Sequence, residues 1–194
     1  MSSALECIYL WPKPTNDDTS HPLHRRTVFV LAPASFSASC LWSPSTTLAD
    51  WLRPRVLELT FTAWDLAPFA RDLGYHGPPF RYDPERRALL RAELDACFFR
   101  LYLGSEQEWE TQASPGLRAL FPTPRDAVSY ILDQFPIVKR HDEQRYGSYR
   151  TAELVLEAWD RIAAAEAGCA PYRSLLDPPP ADPSVAHPAS RPAS

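Results

Sequence analysis

The chain has 194 residues, enough for one domain with a real hydrophobic core, and a formal net charge of −4 at pH 7. Hydrophobic residues make up 45% of it and six are tryptophans, which excludes a chain that is disordered throughout. The negative charge excludes a general attraction to nucleic acid or membranes, so such binding would need a local basic patch. No run approaches the ~20 apolar residues of a membrane span. No basic start precedes an apolar run at the N-terminus, so we expect a cytoplasmic protein without a membrane partner.

Residues 1–49 are predicted to form an irregular, β-rich N-terminal part. Residues 7–11 and 27–32 have the composition of short strands, and a polar loop with several prolines separates them.

Residues 50–168 are predicted to form a helical core. Residues 55–63 fit both a helix and a strand, and the helix-start pattern at Asp50 favours the helix. Asp83 before Pro84 predicts an N-cap with a first-turn proline, and an apolar face extends that helix as far as Tyr102.

Two more helices are predicted further along the chain. Thr123-Pro-Arg-Asp126 is a variant of the capping box and predicts a helix start. The last helix begins near Thr151, buries Trp159 among other apolar residues, and ends at Gly168.

Residues 169–194 are rich in proline and predict a disordered tail that leans toward polyproline geometry. The fold class predicted from the sequence is therefore α+β: a mainly helical core with a short β-rich N-terminal part and a disordered Pro-rich tail.

Catalytic and metal-binding patterns are weak, and we predict neither a catalytic residue nor a metal site. The four cysteines are far apart, and Cys97 lies on an apolar helix face where a buried thiol is expected. Residues 77–80 and 177–180 each contain part of the Asp/Asn/Ser-Pro-Pro-aromatic loop of amino-methylating enzymes. The first lacks the side-chain acceptor and the second lacks the ring that stacks on a flipped base. We expect both strings to be structural.

Residues 135–151 form a basic, aromatic-bearing segment, which we interpret as a turn between two helices. The candidate DNA-binding residues are Lys139, Arg140, Arg145, Tyr146, Tyr149 and Arg150. In one interpretation the cations contact phosphates and the tyrosines pack on sugars or bases. In the other, the cations pair with Asp142, Glu143 and nearby helix acids, and the segment is only a solvated connection. Spacing does not separate the two.

Several stretches carry a family resemblance. The longest is Leu57-Glu-Leu-Thr-Phe-Thr-Ala-Trp-Asp-Leu-Ala-Pro-Phe-Ala-Arg-Asp-Leu-Gly74, and others are residues 77–81, 86–96, 130–140 and 146–151. They resemble the C-terminal end of large adenine-specific DNA methyltransferases from bacterial restriction–modification and phage-defence systems. In those proteins a catalytic methylase domain comes first, and a DNA-recognition region with a helical end follows.

The resemblance implies a detached C-terminal segment that does not transfer methyl groups alone. The S-adenosylmethionine site and the catalytic loop of the full-length family have no counterpart in this sequence. Its implied function is a non-catalytic, DNA-associated segment that aids DNA recognition or clamping. The alternative is a docking module for a methyltransferase catalytic subunit, without DNA contact. Because the N-terminal part would complete a larger domain in the family, Trp11, Phe29 and Trp42 are candidates for an exposed apolar patch.

Overall fold

A computed structural model of the protein describes residues 39–40, 42–168 and 171–188. The first described element is an antiparallel hairpin of β1 (Ser39–Cys40) and β2 (Ser43–Thr47), with Ser39 opposite Thr47. The strand-like runs predicted at residues 7–11 and 27–32, with Trp11 and Phe29, lie outside the described residues. Trp42, expected in an exposed patch, is buried against Trp51, so that prediction is wrong for this residue.

The ambiguous segment after the hairpin is helical. Helix α1 (Leu48–Thr60) begins at Thr47, whose hydroxyl accepts a hydrogen bond from the Asp50 amide at 3.1 Å. A short 3-10 turn (Trp64–Leu66) and helix α2 (Ala67–Asp72) follow. Polar capping at the start of α1 thus decides between the two periodicities that the apolar residues allow.

Both predicted N-caps in the middle of the chain are confirmed. Asp83 accepts hydrogen bonds from the amides of Glu85 and Arg86 at the start of α3 (Pro84–Leu103). Thr123 and Asp126 form a reciprocal capping box at the start of α6 (Pro124–Asp133). Between them lie two short helices that the sequence did not predict, α4 (Glu106–Gln112) and α5 (Pro115–Leu120).

The basic segment is a helix and not a turn, which corrects the prediction. Helix α7 (Pro136–Tyr146) starts with a first-turn proline and ends at Gly147, whose φ of 79° is the left-handed conformation of a helix C-cap. Helix α8 (Arg150–Gly168) follows after three residues and ends where the sequence predicted.

The main hydrophobic cluster forms where α3 and α8 pack against each other, with α1 and α6 closing its sides. Its buried members include Trp42, Trp51, Ala96, Cys97, Val128, Val155, Trp159 and Ile162. A smaller cluster lies beside it and contains Leu57, Phe61, Ala70, Phe80 and Ala186. The prediction of a mainly helical core is confirmed. No helix among the described residues is long and apolar enough to span a membrane.

Residues 171–188, which we name the C-terminal strap, differ from the prediction of a disordered tail. Leu176 and Ala186 of the strap are buried, and Ala186 pairs with Phe80 through an isolated β-bridge. The strap carries few apolar residues, so composition suggested an unpacked tail. Its backbone is instead held by hydrogen bonds with charged side chains of α1, α3 and α8: arginines donate to strap carbonyls, and glutamates accept from strap amides.

Candidate nucleic-acid interface

Helix α7 lies on the surface and buries none of its residues completely. Val138, Asp142 and Tyr146 line a groove of about 200 Å³ whose other walls are residues of α3 and α8. Since successive residues are about 100° apart on a helix, Arg140, His141 and Gln144 lie on the opposite side, and all three are exposed. Ile137 shares that outer side and is 70% exposed. The outer side of α7 therefore presents hydrogen-bond donors and one aliphatic residue to solvent.

Two of the four candidate cations are held by acids of the protein itself. Lys139 Nζ lies 2.9 Å from an oxygen of Asp133, and this hydrogen bond raises the pKa of the lysine. Arg150 forms a 2.5 Å ion pair with Glu85, which raises the pKa of the arginine and lowers that of the glutamate. Both partners are acids of other helices, which the second interpretation of the segment included beside Asp142 and Glu143. Lys139 joins α7 to the end of α6, and Arg150 joins α8 to α3.

The two candidate tyrosines are also engaged within the protein. The Tyr149 hydroxyl donates to the carbonyl of Leu132 at 2.9 Å, and partial burial raises the pKa of this phenol. The ring of Tyr146 lies 5.2 Å from the guanidinium of Arg145 and 4.6 Å from that of Arg150. These cation–π contacts occupy ring surface that a nucleobase would need for stacking.

The charged residues of α7 differ in whether they are engaged within the protein. Asp142 points inward, where its carboxylate accepts a 2.6 Å hydrogen bond from the Thr151 amide near the start of α8. Arg140 and Arg145 are exposed and have no ion pair with a described residue, while Glu143 is exposed between them. Of the six candidate DNA-binding residues, Arg140 and Arg145 are therefore the two that remain available to a phosphate.

The groove behind α7 contains a carboxylate with an unusual protonation equilibrium. Asp95 of α3 lies there with Arg91, Asp142 and Arg150. Loss of hydration raises the pKa of Asp95 to about 6, although Arg91 acts in the opposite direction and part of the side chain remains exposed. Asp95 makes no hydrogen bond or ion pair with the described residues, and no local sequence pattern marks it as a candidate functional residue.

The two methylase-like strings have structural roles, as expected. Phe80 is fully buried beside Tyr75 in the smaller hydrophobic cluster, so its ring cannot stack on a base. The carbonyls of Pro178 and Pro179 accept hydrogen bonds from Arg86. Within the described residues, no group of three or more His, Cys, Asp or Glu side chains could hold a metal ion.

No protein-family description, curated protein or solved structure matches this chain. The resemblance to adenine-specific DNA methyltransferases therefore rests on the residues quoted above, and the functional conclusions from it are proposals.

Proposed function

We propose that this chain is a non-catalytic, DNA-associated segment of the kind that ends adenine-specific DNA methyltransferases, and that it contacts DNA phosphates through the exposed arginines of α7. The observation that carries the proposal is that two arginines of this helix are exposed and form no ion pair with a described residue. Asp142 is turned inward and engaged, whereas Arg140 and Arg145 face solvent. S-adenosylmethionine and the methyl transfer would belong to a separate methylase body.

The overall charge of −4 requires such a local arrangement. Exposed charges act mainly within a Debye length of about 8 Å, so the charges on α7 itself, two arginines without an ion pair and the exposed Glu143, decide whether phosphates are attracted. Arg140 and Arg145 are separated by about 7.5 Å along the helix axis and by about 140° around it, so each would contact a different phosphate from its own side of the helix. Contacts of this kind position a protein on DNA without reading its sequence.

The test is to replace Arg140 and Arg145 by alanine and measure binding to duplex DNA by fluorescence anisotropy at several salt concentrations. Loss of two phosphate contacts should weaken binding to all sequences and flatten the salt slope by about two units. The matched control replaces Arg71 of α2 and Arg173 of the strap, which are exposed cations on other elements. Equal losses in both double variants would show only a general charge effect, and unchanged affinity in the first would remove α7 from the interface.

Because Lys139 and Arg150 form ion pairs within the protein, replacing either residue should also change the stability of the fold. Arg150→Ala should lower the free energy of unfolding as well as any DNA affinity, since it releases Glu85 and one contact to Tyr146. A thermal melt of each variant separates the two effects.

A second candidate function is docking to a methyltransferase catalytic subunit. It is favoured by exposed apolar residues on α5 and α6, namely Leu117, Leu120 (74% exposed) and Tyr130, whose ring packs on Phe121. Binding through this surface should change little with salt, in contrast to phosphate binding. Leu120→Ser with Tyr130→Ser should abolish association with a methylase body if docking is the function, and should leave DNA affinity unchanged.

A further inference from the structure

The C-terminal strap is held by side chains that already have partners in the core. Glu93 of α3 is fully buried, and its two carboxylate oxygens accept hydrogen bonds from different parts of the chain. Oε2 accepts a 2.7 Å hydrogen bond from Arg55 of α1. Among the described residues, the donors to Oε1 all belong to the strap. They are the Tyr172 hydroxyl at 3.0 Å, the Ser174 hydroxyl at 2.7 Å and the Leu175 amide at 2.5 Å.

A second buried ion pair repeats this arrangement further along the strap. Arg86 of α3 donates to Glu58 of α1 through Nε at 2.5 Å and Nη2 at 3.1 Å. Its Nη1 and Nη2 also donate to the strap carbonyls of Pro178 and Pro179. Glu58 in turn accepts a 2.7 Å hydrogen bond from the Ala181 amide. Each charge therefore keeps an opposite charge within the core when strap contacts are removed.

Most of the remaining hydrogen bonds to the strap also involve its backbone groups. Arg161 of α8 donates to the carbonyl of Ser174 at 3.0 Å, and Arg81 donates to the carbonyl of Ser184 at 2.6 Å. The His187 amide donates to the carbonyl of Pro79 at 2.8 Å. Recognition through backbone groups depends on the conformation of the bound chain more than on its side-chain identity.

We propose that α1, α3 and residues 79–81 form a binding site for a proline-containing peptide that adopts the irregular, turn-containing conformation of the strap, and that the strap is its intramolecular occupant. The site selects a backbone whose N–H groups reach Glu93 and Glu58 and whose intervening carbonyls reach Arg86. Prolines suit this ligand, because the carbonyls of residues 178 and 179 are used while their missing N–H groups are not needed. The side chains of Tyr172, Ser174 and Leu176 set the register. A partner segment of the same chemistry binds here when the strap leaves.

The ion pairs explain why the site remains formed without its occupant. Removing one partner of a buried ion pair leaves an uncompensated charge, which is strongly unfavourable. Departure of the strap leaves Arg55 with Glu93 and Arg86 with Glu58, so the polar contacts that are lost are hydrogen bonds that water can replace.

The experiment uses the full chain with a protease recognition sequence inserted between Gly168 and Pro171. After cleavage, a fluorescent synthetic peptide of residues 171–188 is added, and its exchange with the cleaved strap is followed by anisotropy. Circular dichroism checks the fold in parallel. We expect the cleaved protein to stay folded and to bind the peptide saturably, while a scrambled peptide does not bind.

A single methyl group tests the proposed contacts. Methylation of the Leu175 amide nitrogen removes the donor to Glu93 and should weaken binding about 10- to 100-fold, as expected for a buried hydrogen bond to a charged group. The same modification at Asp177, whose amide makes no hydrogen bond to a described residue, is the matched control. Unfolding on cleavage, a folded core that does not bind the peptide, or equal binding of the scrambled peptide would each overturn the proposal.

Discussion

Replacing Glu93 by glutamine should destabilise the protein far more than such a conservative change usually does. Four donors converge on the Glu93 carboxylate, one from Arg55 and three from the strap. A glutamine amide has one oxygen and one NH₂ group, so in either orientation the NH₂ group faces a donor. Arg55, which is buried and stacked 3.4 Å from the centre of the Trp51 ring, then loses its counter-ion.

The expected loss is about 3–5 kcal/mol, as for other buried ion pairs from which one partner is removed. Because a domain has a total stability of about 5–15 kcal/mol, this is a large fraction of the whole. For a chain of this size the melting temperature should fall by about 6–20 °C.

Urea unfolding, followed by tryptophan fluorescence and circular dichroism, measures this loss. Asp160→Asn serves as the control, since it breaks the exposed ion pair of Asp160 with Arg125 and should cost less than about 1 kcal/mol. If Glu93→Gln is no more destabilising than Asp160→Asn, the buried network does not hold the strap as argued.

Three further substitutions give outcomes that urea unfolding can check. The raised pKa of Asp95, about 6 against an ordinary 3.8, means that the folded state binds more protons than the unfolded state between these values, so stability falls as pH rises through that window. Asp95→Asn should therefore stabilise the protein above about pH 6 and have little effect near pH 4; destabilisation at pH 7 would contradict this reasoning. Ala181 has a φ of 61°, so Ala181→Gly should raise the free energy of unfolding by about 0.5–1 kcal/mol. A lower urea midpoint for this variant would show that the backbone is not strained there. Phe80→Ala should cost about 3–5 kcal/mol by leaving a cavity in the smaller cluster, and a loss below 1 kcal/mol would mean that the cluster collapses around it.

Helix boundaries were predictable where the signal is local. Asp83 and Thr123 act on amides two or three residues away, so the sequence contains both the donors and the acceptor. Helix α7 has equally local signals in Pro136 and Gly147. It has no buried apolar face, however, so no hydrophobic periodicity indicated a helix between them.

The strap was not predictable because its contacts involve backbone groups and residues distant in the sequence. Glu58 and Glu93 resemble ordinary solvated helix acids, and nothing local shows that each accepts an amide from beyond residue 170. Arg100 is a related case, because it is buried and paired with Glu166 of α8, which lies 66 residues further along the chain.

The candidate cations and tyrosines are neighbours in the sequence, so the pattern alone could group them as one segment. Which cations face solvent was not predictable, because it depends on Asp133 and Glu85. Glu85 lies in α3, so only the packing of α3 against α7 and α8 brings it to Arg150.

The contacts of Glu93 with the strap have a consequence for the kinetics of folding. These contacts join residues that are separated by 79 to 82 positions in the chain. Forming them closes a long loop, so the chain loses conformational entropy before it gains any of these contacts. The helices can form and pack earlier through shorter-range contacts. We therefore expect the strap to add its contacts after the rate-limiting step, so that weakening it speeds unfolding and leaves the folding rate nearly unchanged. Because the core is expected to stay folded without the strap, the rate at which this segment detaches sets the lifetime of the strap-bound state.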